Sequence, residues 1–94
     1  MFKRRRPAKA PQIGSLDELR AYLAEGLPVL VDLWKVGCQP CRNMEGIVDE
    51  LAAEFAGRAH VVKLDVLRVP GAIQALAVRS TPTFVVLFMP ATPR

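Results

Sequence analysis

Hydrophobic positions along this chain change their spacing several times, and each change marks an element. Around Ala10 to Ile13 a first short strand is expected. Ser15 followed by Glu18 forms a capping box, in which a hydroxyl and a carboxylate each satisfy an otherwise orphaned backbone N–H. A helix from Leu16 to Glu25 follows, and Gly26 ends it. Val29 to Trp34 is β-rich and apolar apart from Asp32, the pattern of a central strand covered on both faces.

From Cys41 onward Met44, Ile47, Val48, Leu51, Ala52 and Phe55 recur at helical spacing. Arg42, Asn43, Glu45, Asp49, Glu50 and Glu54 take the other face, and Gly57 stops the run. The spacing predicts a long amphipathic helix that starts at the cysteines, with Gly46 permitting a bend without enforcing one. His60 to Val66 reads as a third strand, Val69 or Pro70 to Val78 as a short helix, and Thr83 to Phe88 as a fourth strand. Alternating strands and helices imply an α/β layer arrangement with right-handed crossovers and ligands near the strand ends.

The length of 94 residues bounds the chain to one small domain able to bury about 65% of its unfolded surface. The net charge of +4 is misleading, because Lys3, Arg4, Arg5, Arg6 and Lys9 are clustered with no acid among them. Removing those five from the thirteen Lys and Arg leaves eight against nine acidic residues, so the rest of the chain is close to neutral. Residues 1–10 therefore read as a basic, disordered tail and 11–94 as the domain. Consecutive arginines raise the question of nucleic acid or an anionic membrane. No aromatic platform accompanies them, so a solvated tail is preferred and neither partner is expected.

A basic start can open an export signal, but an apolar stretch of about 7 to 15 residues must follow, and Pro7 to Gln12 is not one. The longest apolar runs, Leu27 to Leu33 with Asp32 interrupting it and Phe84 to Met89, fall short of the roughly 18 residues of a membrane span. A reducing cytoplasm is the expected setting, where a close cysteine pair is more often catalytic or metal-binding than structural.

The chain's only cysteines, Cys38 and Cys41, are three apart and lie directly between the apolar strand and the helical pattern. On a helix such positions are about 5 to 6 Å apart, within what a disulfide tolerates. A bridge closing so short a loop removes almost no unfolded-chain entropy, which makes stapling a poor explanation. A helix N-terminus offers unpaired N–H groups and partial positive charge, which favour the thiolate over a thiol of ordinary pKa near 8.5. Cys38 is so placed and is assigned as the accessible attacking nucleophile; Cys41, one turn deeper and shielded, is the resolving thiol. The expected reaction is attack of Cys38 on a substrate disulfide, a mixed disulfide, and displacement by Cys41. The competing reading is a zinc half-site. Two thiolates fill half of a tetrahedral shell, there is no second CxxC, and His60 is the only histidine. Zinc would have to bridge two chains, so no metal is expected, and His60 reads as an ordinary strand-entry residue.

With Asp32 and Trp34 before the cysteines and Thr81, Pro82 and Thr83 some way after them, the segments VDLWKVGCQPC, VVKLDV and RSTPTFVVLF carry a specific combination. Together with the amphipathic helix they make the chain resemble the thioredoxin family over most of residues 13 to 89. The resemblance implies a thioredoxin-like fold, C-terminally truncated, with a central mixed sheet of about four strands and helices on both faces. Relatives continue with a further strand and helix beyond the point matching Arg94. Thr83 to Phe88 is then an exposed apolar edge, expected to pair with a second copy or to be completed by another chain.

The implied activity is thiol-disulfide exchange, reducing protein disulfides with an unidentified reductase as electron donor and no cofactor beyond the redox-active Cys38/Cys41 disulfide. The alternative is a thioredoxin-like interaction or scaffold module with weak catalysis. By resemblance Pro82 is a cis proline beside the cysteines, although only about 5 to 6% of X–Pro bonds are cis, and Thr81 and Pro82 line a substrate groove with Trp34, Gly37, Gln39 and Pro40. Asp32 matches a buried carboxylate that accepts the proton of the deeper thiol, burial raising its pKa; the bland alternative is a strand-end acid capping the helix. Lys63 either balances that charge or snorkels to the surface. Trp34 is expected to pack beside the loop with its ring buried and its N–H bonded. Gly37 stands where the family has a second tryptophan, which removes apolar contact area. Gln39 stands where the family has glycine.

Overall fold

The computed structural model describes residues 9–90. In chain order its elements are β1 (Gln12–Ile13), α1 (Leu16–Leu23), β2 (Val29–Trp34), α2 (Gln39–Glu54), β3 (His60–Asp65), α3 (Ala72–Ala75) and β4 (Thr83–Leu87). The strands form one mixed sheet in the order β1-β3-β2-β4. β3 runs parallel to both β1 and β2, and β4 runs antiparallel to β2. This is the expected α/β sheet of four strands.

Side-chain alternation along β2 sorts the core into two layers. Val29, Val31 and Leu33 point with Val62 and Leu64 of β3 towards Leu19 of α1 and Ala72 of α3. Leu30 turns the other way, with Val61, onto Val48, Met44, Leu51 and Ala52 of α2. α1 and α3 thus cover one face and α2 the other. Leu33, Leu64, Val29, Val31, Val48 and Val62 are fully buried, each burial contributing about 1.5 to 3 kcal/mol.

The predicted helix starts hold, with local differences. Ser15 caps α1 by accepting from the Glu18 N–H at 3.0 Å, but the Glu18 carboxylate accepts from the Gly14 N–H at 2.8 Å rather than from Ser15 itself. α1 ends at Leu23, two residues short of Glu25, and a turn leads into Gly26 at φ 90°. α2 runs unbroken through Gly46. The helix expected over residues 69–78 shrinks to one turn because Val69, Pro70 and Gly71 stay in turn conformation, with Gly71 at φ 81°.

Ala10, assigned to the tail, is instead buried against α2, and its N–H donates to Asp49 Oδ1 at 2.8 Å. Residues 1–8 of that tail lie outside the described residues. β4 is the sheet's edge, as expected, with Phe84, Val86, Phe88 and Met89 exposed. No described helix is long and apolar enough to cross a membrane.

Candidate functional site

The site lies at the carboxyl end of β2. Between Trp34 and Gln39 the chain turns through Gly37 at φ 85°, and nothing crowds the position a Cβ would take. Backbone conformation alone therefore asks for glycine there. Cys38 follows with extended backbone as the N-cap of α2, and Pro40 occupies the first turn, where its missing N–H costs no helical bond.

The Cys41 N–H donates to Cys38 Sγ at 3.2 Å. The two sulfurs are joined in a disulfide with their Cα atoms 5.2 Å apart. Both residues sit at the helix start, as the spacing predicts. One expectation is corrected: Cys38 is only 7% exposed against 4% for Cys41, so in the disulfide state neither sulfur stands out from the surface. The bond to Cys41 and the helix N–H together draw the Cys38 sulfur onto the first turn.

Asp32 projects from β2 onto the α2 face and is 3% exposed, with Oδ1 buried and lacking a hydrogen-bond partner. It caps no helix; Cys38 has that position. Burial pushes its carboxyl up to about 6, opposed by Lys63 and reinforced by Glu45 and Asp49. Lys63 is its Cα partner on β3, but the ammonium pairs with Asp49 at 3.2 Å, and the side chain is buried rather than snorkelling. The polar pattern puts Asp49 on the outer face of α2, whereas the structure holds it half-buried against Ala10 and Lys63. Partial burial there disfavours its charge, yet the Ala10 N–H and Lys63 outweigh that and hold its carboxyl below the usual value. The available signal was position: Asp49 falls two turns past Cys41, beside Val48 on the buried side.

Trp34 is half-buried rather than buried, and its Nε1–H donates to Gln12 Oε1 at 3.1 Å, a partner the sequence did not single out. Gln39 Nε2 donates to Asn43 Oδ1 at 2.8 Å, which ties its side chain along the helix. Val36 is 72% exposed in the loop before the cysteines.

Thr81 and Pro82 are half-buried and joined by a cis peptide bond. Because β4 is antiparallel to β2 and Thr83 pairs with Leu33, this segment enters the sheet at the end where the cysteines leave it. Asp32, Cys38, Cys41, Thr81 and Pro82 are thus brought to one end. His60 pairs with Val29 at the other, stacked edge-on to Tyr22 and bonded through Nε2 to Glu25 Oε1 at 2.8 Å. Within one chain it is remote from the cysteines. Among the described residues no three His, Cys, Asp or Glu side chains gather as metal ligands.

The family model for thioredoxin matches residues 14–91. Thioredoxin from Synechocystis is 36% identical over 76 residues, covering 81% of this chain and 71% of that protein. The chloroplastic M-type thioredoxin of Pisum sativum is 43% identical over 69 residues, covering 73% of this chain and 39% of its own length. The structure is similar to that of Fasciola hepatica thioredoxin, with TM-score 0.76 and 29% identity over 83% of this chain and 76% of the other.

Proposed function

The chain belongs to the thioredoxin family of thiol-disulfide oxidoreductases, and from that premise we propose that it reduces protein disulfides, Cys38 attacking and Cys41 resolving. The observation that supports these roles is the helix-start N–H of Cys41 aimed at Cys38 Sγ. That donor and the partial positive charge of α2 favour the Cys38 thiolate once the pair is reduced.

In the forward reaction the Cys38 thiolate forms a bond to one substrate sulfur while the substrate S–S bond breaks, and the leaving sulfur departs as a thiolate that takes up a proton. Asp32 accepts the proton of Cys41. The Cys41 thiolate then bonds to Cys38 Sγ, the mixed disulfide breaks, and the second substrate sulfur leaves. Two electrons pass to the substrate, and the protein is left with the disulfide seen in this structure. A reductase must return those electrons. Trp34, Gly37, Gln39, Pro40, Thr81 and Pro82 border the groove in which the substrate segment lies, and Lys63 lies beside Asp32 on β3 with its ammonium held by Asp49. A reducing compartment such as the cytoplasm suits this direction of transfer.

The exposed edge of β4 supports a second proposal, that copies of this chain associate through it, since Thr83 to Met89 carries neither charge nor proline to block pairing.

The deciding experiment is reduction of insulin disulfides by the dithiol form, coupled to a glutathione titration of the Cys38/Cys41 couple. Turnover faster than free dithiothreitol, lost in Cys38→Ser, is expected. A rate no better than the free dithiol makes the chain an interaction module instead.

A further inference from the structure

Asp32 and Lys63 are Cα partners on adjacent parallel strands, so both side chains leave the sheet on the face covered by α2. Neighbouring strands are about 4.8 Å apart, and a lysine stem is long and carries three donors. Either Asp32 or Asp49 is within the compass of that ammonium. The fold commits it to Asp49: Nζ lies 3.2 Å from Asp49 Oδ1, the same oxygen that accepts from the Ala10 N–H at 2.8 Å. Asp32 Oδ1 is left buried with no partner.

We propose that Asp49 is a positioning residue, which by holding the Lys63 ammonium keeps that cation from pairing with Asp32 and leaves the Asp32 carboxylate free to take the Cys41 proton. The inference rests on the role proposed for Asp32 above. The charged groups facing Asp32 are Lys63 from β3 and Glu45 and Asp49 from α2, while Phe84, its partner on β4, is uncharged. Burial and the two acids outweigh the lysine and push the Asp32 carboxyl up to about 6. A carboxylate closer in basicity to a thiolate takes the proton from Cys41 with a smaller uphill step. A direct Lys63 pair would undo that, because an opposite charge within about 4 to 6 Å lowers a carboxyl pKa by about 1 to 3 units.

The test is Asp49→Asn in the full chain. The amide oxygen still accepts from Ala10, but the charge that holds Lys63 is gone. Carbon NMR of the Asp32 carboxyl in the oxidised protein is expected to show its titration midpoint lowered by about one pH unit or more. Resolution of a preformed mixed disulfide at pH 7 is expected to slow by about threefold or more. In Asp49→Asn/Lys63→Gln no ammonium remains to be redirected, so the midpoint is expected to return to the wild-type value or above. Simple loss of the Asp49 charge lowers the midpoint by the same amount whether or not Lys63 is present, whereas redirection of the ammonium predicts that Asp49→Asn moves the midpoint far less in Lys63→Gln than in the wild type. If Asp49→Asn does not fold, Asp49→Ser, which replaces the carboxylate by a hydroxyl, carries the same expectation. An unmoved midpoint in the single variant, or one lowered equally when Asp49→Asn is added to Lys63→Gln, overturns the proposal. If Asp32→Asn leaves the resolution rate unchanged, it is instead the proton-acceptor role of Asp32 that fails, and the carboxyl titration still reports on what Asp49 does to Lys63.

Discussion

The backbone N–H of Cys41 points at the sulfur of Cys38 across 3.2 Å, so the first turn of α2 supplies both the deeper thiol and a hydrogen-bond donor to the outer one. The two cysteines are chemically unequal for that reason. In the reduced protein Cys38 is expected to be alkylated by iodoacetamide at pH 7 about tenfold or more faster than Cys41, since reactivity follows thiolate fraction. Mass spectrometry of partially alkylated protein reads the ratio, and equal labelling would remove the basis for their assigned roles. Cys41→Ser is expected to accumulate a stable mixed disulfide with substrate, which Cys38→Ser cannot form.

Asp32 makes stability depend on pH in a direction opposite to an ion-paired acid. Its carboxyl rises from an ordinary 3.8 to about 6 on folding, so the folded state binds the proton more tightly. Its contribution is fully favourable below about pH 4 and is lost as pH rises through 6, a change of about 3 kcal/mol. Chemical denaturation of wild type and Asp32→Asn at pH 4 and pH 7 is expected to show the variant gaining on wild type by about that amount between the two values. Parallel pH profiles would place Asp32 in a solvated site.

Leu33 is fully buried on the face opposite Asp32, among residues of α1 and α3. Leu33→Ala is expected to cost about 2 to 5 kcal/mol. At about 4 to 8 °C per kcal/mol for a domain of this size, Tm falls by more than about 8 °C. A calorimetric shift of only a degree or two would mean that the layer beneath the sheet is loosely packed.

Val86 is 59% exposed in the middle of the β4 edge. If copies associate there, light scattering at tens of micromolar, roughly the range of weak encounters, shows species larger than one chain, and Val86→Lys shifts them to monomer because edge charges block pairing. A wild-type protein that stays monomeric over that range removes self-association from the account.

Periodicity and chain order made most of this molecule legible. The apolar run Val29 to Trp34, the helical stripe from Cys41 to Phe55 and the strands at His60 and Thr83 reflect local preferences, and the structure places each within a residue or two of the expected bounds. The redox pair was legible as well: helix geometry puts two cysteines three apart within disulfide reach, and the resemblance carried by Asp32, Trp34 and the Thr81, Pro82, Thr83 segment gave that pair its redox meaning. Where local signals were weak they misled. Residues 69–78 contain a helical pattern, but Pro70 and Gly71 at its start leave only one turn.

Only tertiary structure decided the partners of the polar groups. The spacing of Asp49 sets it beside Val48 near the buried side of α2, but it does not say that Lys63 and the Ala10 N–H are its partners, since those lie on other elements that reach it only when the sheet and helix pack. The same packing leaves Asp32 buried and unpaired, sets Gln12 against Trp34, and sends His60 to the far end from the cysteines. Local sequence governs backbone conformation through short-range sterics and hydrogen bonding, whereas the state of a buried charge depends on which distant residues surround it.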